Sequence, residues 1–230
     1  MNNEKLQKTQ EFDPGLTSII EGAYDLVDEK YGVNSEHPKN FHNLVHTANV
    51  VEAAMAMADK ALANGKIKPN DKKLIAIAAA YHDTEQQLGG GANETASAVL
   101  ALEAMRQIGT FSQIDEQDVT DMIMATKIYF DENGIMRQSA SDDYRTQIIA
   151  DADLSHLGGP TELYEERFIS LFREFNPTLD TDDDKFKAFL KNQEAFMQNH
   201  SYYTSEASNI FNGKDTNIEY TKDLVSSIVD

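Results

Sequence analysis

The chain has 230 residues, of which 40% are hydrophobic and 26% charged, an ordinary globular composition that predicts one domain and no membrane-spanning run. It contains no cysteine, which excludes disulfides and thiolate sites, and its opening MNNEKLQKTQEF lacks a secretory pattern, so we expect a cytoplasmic protein. The net charge of −19 repels a polyphosphate backbone and argues against DNA or long RNA as partners.

Helical periodicity runs along almost the whole chain. Strand-type alternation is scarce, and no stretch predicts a convincing hairpin. The expected fold class is therefore all-α, and no loop is long enough to demand a domain boundary. In chain order, the predicted helices span residues 14–30, 42–64, 70–83, 92–109, 116–129, 142–157, 161–175, 183–199 and 215–229.

The second predicted helix begins with two histidines in the stretch NFHNLVHTANVV. His42 and His46 are four residues apart, so they lie on the same side of a helix, one turn from each other. This side is opposite the main apolar stripe of the helix. The pattern predicts that both histidines face either water or a cleft.

The third predicted helix contains LIAIAAAYHD, which is apolar around its whole circumference up to Tyr81. Such a helix is buried. It ends in His82 and Asp83, and ionisable groups at the end of a buried helix are costly unless they are paired or bind a metal. The pattern therefore indicates a polar site inside the protein.

A later apolar helix, IIADADLSH, carries Asp151 and Asp153. Residues two apart on a helix point to nearly opposite sides, so the two aspartates cannot easily serve one point. One of them could join His46, His82 and Asp83 in a set of nitrogen and oxygen ligands. Such a set suits Mn, Fe, Ni, Zn or Mg.

These residues together resemble the HD superfamily of metal-dependent phosphohydrolases. The superfamily pattern is a histidine, an adjacent His-Asp pair and a distant aspartate in an Ala-Asp-x-Leu context, which His46, His82–Asp83 and Asp153 match. The resemblance implies an irregular helical bundle with a core at about 38–176, on which helices at 183–229 pack. It also implies that these four residues bind a divalent metal, with Asp153 preferred over Asp151.

Three further segments are similar to a branch of predicted HD-type hydrolases. They are FHN at 41–43, NETASA at 93–98 and DADLSHLG at 151–158, and the following YEERFISLFREF also fits this branch. The similarity covers about 38–176, which is more than half of the chain. The HD pair alone is a weak signal, whereas all of these segments in order are a strong one.

The stretch FHNLVHTANVV also resembles the His-Asn-x-x-His motif of cyclic-nucleotide phosphodiesterases. The resemblance implies that His42 is the general acid, and that Glu94 hydrogen-bonds it. Those enzymes have another histidine soon after the HD pair, where this chain reads TEQQLGGG. We therefore expect one tightly bound metal and regard a second metal site as doubtful.

The resemblance implies hydrolysis of a small phosphate ester, most naturally a nucleotide. The acidic charge and the lack of a long apolar run add the expectation of no nucleic-acid polymer and no membrane as partners. Asp83 would orient the attacking water, and His42 would protonate the leaving oxygen. Two alternatives stay open: a degenerate member that binds metal or ligand without turnover, and an iron oxygenase. The sequence also leaves a homodimer open.

Overall fold

The computed structural model describes residues 13–89, 91–132, 134–178 and 184–228. Within these ranges the chain forms helices and one short hairpin, which confirms the all-α fold class. The opening stretch and the predicted helix ends at 183 and 229 lie outside the described residues. The elements are α1 (Pro14–Tyr31), α2 (Leu44–Ala63), α3 (Pro69–Tyr81), α4 (Ala92–Ile108), α5 (Gln113–Met124), β1 (Ile128–Phe130), β2 (Met136–Gln138), α6 (Tyr144–Asp153), a 3-10 helix (Ser155–Gly158), α7 (Thr161–Phe175), α8 (Asp184–Asn199), α9 (Ser205–Ile210) and α10 (Lys214–Ile228).

Helix α3 lies inside the larger of two hydrophobic cores. Every residue from Leu74 to Tyr81 is buried, as the apolar sequence of this helix predicts. Helices α1, α2, α4, α5 and α6 all pack against it. The two residues that follow, His82 and Asp83, are therefore held in the interior.

Helix α2 is buried on more sides than its sequence predicts. Val51 and Met55 are buried, but so are His46 and Ala53, which lie on a different side of the helix. The reason is that α2 contacts α3 and α1 as well as α6 and α9. The histidines do not share one environment: His46 is buried on α2, whereas His42, predicted as the first residue of this helix, precedes the N-cap Asn43 and is only partly buried.

A second hydrophobic core connects α7 with the C-terminal helices. Phe168 and Phe172 of α7 contact the ring of Phe186 in α8, with ring centroids 6.2 Å and 4.9 Å apart. Helix α10 packs against both α7 and α8. The extent of a single domain over 1–230 stays a prediction.

The structure contains a hairpin that the sequence analysis did not predict. Residues 128–129 were predicted as the end of a helix, but α5 ends at Met124, and β1 pairs with β2 in antiparallel register. Ile, Tyr and Phe favour strands over helices. Gly134 has φ of +73°, a left-handed conformation that suits glycine in a tight turn.

Two further elements differ from the predicted helices. The helix predicted for 142–157 ends at Asp153 and continues as the 3-10 helix, while α9 is too short to show a helical period. Within the described residues, no helix has the length and apolar character needed to cross a membrane.

Candidate metal centre

Four side chains predicted as metal ligands come together in the structure. His46 is on α2, His82 and Asp83 follow α3, and Asp153 ends α6. One ligand atom from each of the four lies within 4.8 Å of the others. Segments more than a hundred residues apart in the chain therefore meet at one point.

The distances inside this cluster suit a shared ion. His46 Nε2 lies 3.3 Å from Asp83 Oδ2, 3.3 Å from Asp153 Oδ1 and 3.3 Å from His82 Nε2. His82 Nε2 lies 3.1 Å from Asp83 Oδ2 and 3.7 Å from Asp153 Oδ1. Two ligand atoms about 2.1 Å from one ion are about 3.0–3.4 Å apart at octahedral or tetrahedral angles. Most of the observed separations fall in or near this range.

Burial and the neighbouring charges shift the pKa values of the cluster in opposite directions. Burial lowers the pKa of His82, but the charges and hydrogen bonds of Asp83 and Asp153 together outweigh it and raise that pKa well above the usual value. Burial likewise lowers the pKa of His46, but hydrogen bonds to Asp153 and Asp83 outweigh it, and the net shift is upward.

The two carboxylates shift in the opposite direction. Burial raises the pKa of Asp83, but the charge of His82 and the hydrogen bonds from His46 and His82 together outweigh it and hold that pKa well below its usual range. Burial also raises the pKa of Asp153, but hydrogen bonds to His46 and His82 outweigh it, and the net shift is downward. The cluster thus favours positive charge between its carboxylates, which a bound divalent metal ion would supply in place of protons on the imidazoles.

Groups around the cluster orient three of the four side chains. His82 Nδ1 lies 2.9 Å from the carbonyl oxygen of Ala79, so a proton on Nδ1 leaves the Nε2 lone pair directed at the cluster. Gln86 Nε2 donates to Asp83 Oδ1 at 2.6 Å. Gln138 Nε2 donates to Asp153 Oδ2 at 3.0 Å. Each carboxylate thus has one oxygen fixed by a glutamine and the other in the cluster.

Asp151 has a structural role instead. Its carboxylate accepts hydrogen bonds from the Tyr203 amide at 2.8 Å, the Thr204 amide at 2.8 Å and the Thr204 hydroxyl at 2.6 Å. Burial raises its pKa to about 6 despite these bonds. Because it lies two residues before Asp153, it points away from the cluster and anchors the chain just before α9.

The acid partner of His42 differs from the predicted one. His42 Nδ1 lies 2.6 Å from Glu174 Oε1, and Glu174 Oε2 accepts from the backbone amides of Phe41 at 2.8 Å and His42 at 3.0 Å. Burial raises the pKa of Glu174, but the hydrogen bond and charge of His42 together with the two backbone amides outweigh this and lower it to about 2. The His42 and His46 ring centroids are 5.8 Å apart, so this pair lies beside the cluster.

Glu94 does not fill the role predicted for it as the hydrogen-bond partner of His42. Its Oε2 is buried and has no hydrogen-bond partner among the described residues. It lies in the first turn of α4, where the helix dipole favours an acidic side chain. Glu174 was missed because the segment YEERFISLFREF indicated similarity without assigning a role to any residue.

The sequence analysis did not identify a buried arginine near the site. Arg167 on α7 is only 6% exposed, and burial lowers its pKa. Within the described part of the chain, its guanidinium makes no hydrogen bond and no ion pair. Burial, the charge of His46 and that of Arg167 itself are among the causes that lower the pKa of His156 to about 3. A buried guanidinium that forms no hydrogen bond or ion pair in the described residues thus acts on His156, whose pKa also responds to His46 and Asp153 of the cluster.

The fold is similar to that of a solved phosphodiesterase. The phosphodiesterase domain of Salpingoeca rosetta rhodopsin phosphodiesterase aligns with a TM-score of 0.65 and 15% sequence identity, over 99% of this chain and 95% of that one. No protein-family model matches the chain, and no curated protein matches it either. At this identity the likeness shows the fold alone. The chain therefore has the all-helical fold of a phosphodiesterase domain, with a cluster of histidine and aspartate side chains inside it.

Proposed function

We propose that this protein is a metal-dependent phosphohydrolase that acts on a small phosphate ester, such as a nucleotide. The observation that carries the proposal is the convergence of His46, His82, Asp83 and Asp153, with the His42–Glu174 pair beside it. The likeness to a phosphodiesterase domain supports the same reaction class.

The donor set fits a divalent metal ion. Two imidazole nitrogens and two carboxylate oxygens suit Mn, Fe, Ni, Zn or Mg. A divalent ion held there would supply Lewis acidity, which lowers the pKa of water and polarises a phosphoryl oxygen. The glutamines that fix the outer oxygens of Asp83 and Asp153 would keep both carboxylates oriented for it.

The side chains around the cluster have separate roles in this proposal. Asp83 orients the attacking water, because its Oδ2 is in the cluster while Gln86 holds its Oδ1. His42 donates a proton from Nε2 to the leaving oxygen, since its Nδ1 is engaged by Glu174. The Glu174 carboxylate stabilises the protonated imidazole, so Glu174 is a positioning residue.

Arg167 supplies fixed positive charge for an anionic substrate. The chain as a whole carries a net charge of −19, so the attraction must be local. Arg167 is buried, acts on His156, and forms no ion pair in the described structure. A second phosphate or another anionic group of the substrate would neutralise it.

The test compares metal content and turnover in three proteins: wild type, Asp83→Ala and His42→Ala. We expect wild type to hold about one equivalent of metal by elemental analysis and to hydrolyse phosphate esters. Asp83→Ala should lose the metal, whereas His42→Ala should keep it and lose turnover. Full hydrolysis by His42→Ala would exclude the general-acid role. Absence of metal from wild type after incubation with Mn²⁺ would overturn the proposal and favour a binding module without turnover.

A further inference from the structure

Strand β1 presents three consecutive apolar side chains to solvent. Ile128 is 43% exposed, Tyr129 44% and Phe130 70%. Side chains alternate between the two faces of a strand, so apolar surface is exposed on both faces of β1. A lone apolar residue at a surface is ordinary, whereas adjacent ones on an edge strand mark a place where another strand can pack.

The backbone of β1 has a free outer edge. The Lys127 carbonyl accepts a hydrogen bond from the Ser139 amide at 3.0 Å, so position 127 faces the β2 side of the hairpin. Backbone directions alternate along an antiparallel strand, so the N–H and C=O groups of Ile128 and Phe130 point away from β2. Among the described residues, no other group hydrogen-bonds to them. Such unpaired groups are a template for pairing with a further strand.

The outer edge of β2 is covered by the chain itself. Gln138 ends this strand and is buried, and its carbonyl accepts from the Tyr203 hydroxyl at 3.2 Å. The Arg137 side chain donates to the Asn199 carbonyl at 3.4 Å, so the segment at 199–203 lies along this side of the hairpin. The accessible edge of the hairpin is therefore that of β1.

The sequence of this edge is complementary to itself in antiparallel orientation. It reads Lys-Ile-Tyr-Phe-Asp from Lys127 to Asp131, with Tyr129 at the centre. When two copies pair about a two-fold axis at Tyr129, Lys127 of each copy lies opposite Asp131 of the other. In the same register Ile128 lies opposite Phe130, and these are the two residues whose backbone groups point outward. Side-chain chemistry and backbone direction thus select one register.

The two charged residues at the ends of the strand are suited to meet a partner. Among the described residues, the Lys127 ammonium forms no hydrogen bond and no ion pair. The Asp131 carboxylate is held in place by the Ile135 amide at 2.9 Å and by Arg137 Nε at 3.1 Å. A carboxylate has about four acceptor sites, so it can also take the ammonium of a second copy. Opposite charges directly across two strands stabilise their pairing.

This charge complementarity selects a second copy of the chain as the occupant of the edge. We propose that β1 is a homodimer contact, in which two hairpins join edge to edge in one continuous antiparallel sheet about a two-fold axis. The contact is small, and each chain carries a net charge of −19 that repels the other. The dimer should therefore be weak, with a Kd in the micromolar range or above.

The first test is sedimentation velocity of the full-length protein between about 10 µM and about 1 mM, a range that covers a weak dimer. Wild type should show a dimer fraction that rises with concentration. Lys127→Glu places carboxylates opposite each other at both ends of the contact, and it should lower the association constant by about tenfold or more. The matched control is Lys60→Glu on α2, which makes the same change in net charge at another exposed lysine and should associate as wild type does.

Disulfide crosslinking tests the register. The chain has no cysteine, so a single introduced thiol can pair only with the same position of another copy. At the two-fold axis the Cα atoms of opposing residues are about 4.5 Å apart, within the roughly 4.4–6.8 Å that a disulfide spans, so Tyr129→Cys should crosslink rapidly when diamide oxidises the thiols. Ile128→Cys alone should react much more slowly, but mixed with Phe130→Cys it should crosslink. The control is Val33→Cys, a position that is 88% exposed and lies outside the hairpin.

Thermal unfolding checks that the variants are folded, and Tm should stay close to that of wild type because each replaced side chain is at least partly exposed. The proposal is overturned if wild type is monomeric at about 1 mM, which would leave the β1 edge to the strand of a different protein. It is equally overturned if Tyr129→Cys crosslinks no faster than Val33→Cys, or if Lys127→Glu associates as tightly as Lys60→Glu, because the copies would then meet elsewhere.

Discussion

Glu174 offers a sharp test of the proposed acid chemistry. Its side chain is 4% exposed. Its carboxylate lies 2.6 Å from His42 Nδ1 and also accepts hydrogen bonds from two backbone amides. Glu174→Gln preserves the shape and one acceptor oxygen but removes the negative charge. A hydrogen bond to a charged group contributes about 1.5–3 kcal/mol and a neutral one about 0.5–1.5 kcal/mol. The expected loss of about 1–2 kcal/mol in the transition state lowers kcat about 5–30-fold.

The leaving group provides the readout that separates proton donation from general damage. An alkoxide such as a ribose oxygen must be protonated as it leaves, whereas p-nitrophenolate leaves readily without a proton. Steady-state kinetics with Mn²⁺ should therefore show the full loss for Glu174→Gln on a nucleotide ester. The loss on a p-nitrophenyl ester should be much smaller. Metal content should equal that of wild type.

Glu206→Gln is the matched control for this experiment. Glu206 is also buried, at 3% exposure, and it pairs with Lys66 at 3.0 Å. Burial raises its pKa, but its hydrogen bonds to Tyr144 and Lys66 outweigh this and lower it to about 2, as for Glu174. The Glu206→Gln variant should be less stable than wild type, but any change in its kcat should be the same for both leaving groups. Equal losses of Glu174→Gln on both esters, or the same kinetic profile in Glu206→Gln, would refute the assignment.

Three further predictions use other residues around the site. Gln138→Met should weaken Mn²⁺ binding about 10–100-fold in a titration, because Asp153 loses its orienting donor, and an unchanged affinity would contradict this role. Arg167→Met should raise KM about 10–100-fold for a substrate with a second anionic group while kcat changes little; an unchanged KM would exclude Arg167 from binding. The pKa of Glu174 is lowered from 4.5 to about 2, which contributes stability of about 3 kcal/mol that is present above pH 4.5 and lost as pH falls toward 2. Acid unfolding should accordingly show a smaller loss of stability over this window in Glu174→Gln than in wild type.

Much of the candidate site was predictable because it depends on burial of helices. Helix α3 is apolar on every side, so the sequence alone requires that its end be inside, and His82 and Asp83 follow directly. Helix geometry also shows that Asp151 and Asp153 cannot share a point, and the structure places Asp153 in the cluster. The choice between the two aspartates came from the resemblance, because periodicity does not show which side of α6 meets α3.

The contacts between distant segments could not be predicted in the same way. Glu174 is 132 residues from His42, and their meeting depends on how α7 is rotated against the start of α2. The hairpin was missed because its strands have three residues each, too few for a clear period of two. That error also concealed Gln138, which ends β2 and reaches Asp153 across 15 positions of the chain.

The acidic charge of the chain and the proposed phosphate substrate are compatible only if positive charge is concentrated at the site. The two carboxylates of the cluster would be neutralised by one divalent ion, so the ion alone leaves little surplus charge for an anionic substrate. In the proposed function Arg167 would provide that surplus, because its guanidinium forms no ion pair in the described structure and its burial strengthens its field. His156, whose pKa is lowered to about 3, stays neutral beside it and does not add to the repulsion that Arg167 already causes. The proposed function therefore predicts selectivity by charge: a substrate would need one anionic group for the metal and would gain from a second for Arg167, so phosphate esters that carry another anionic group should be preferred over simple monoanionic diesters.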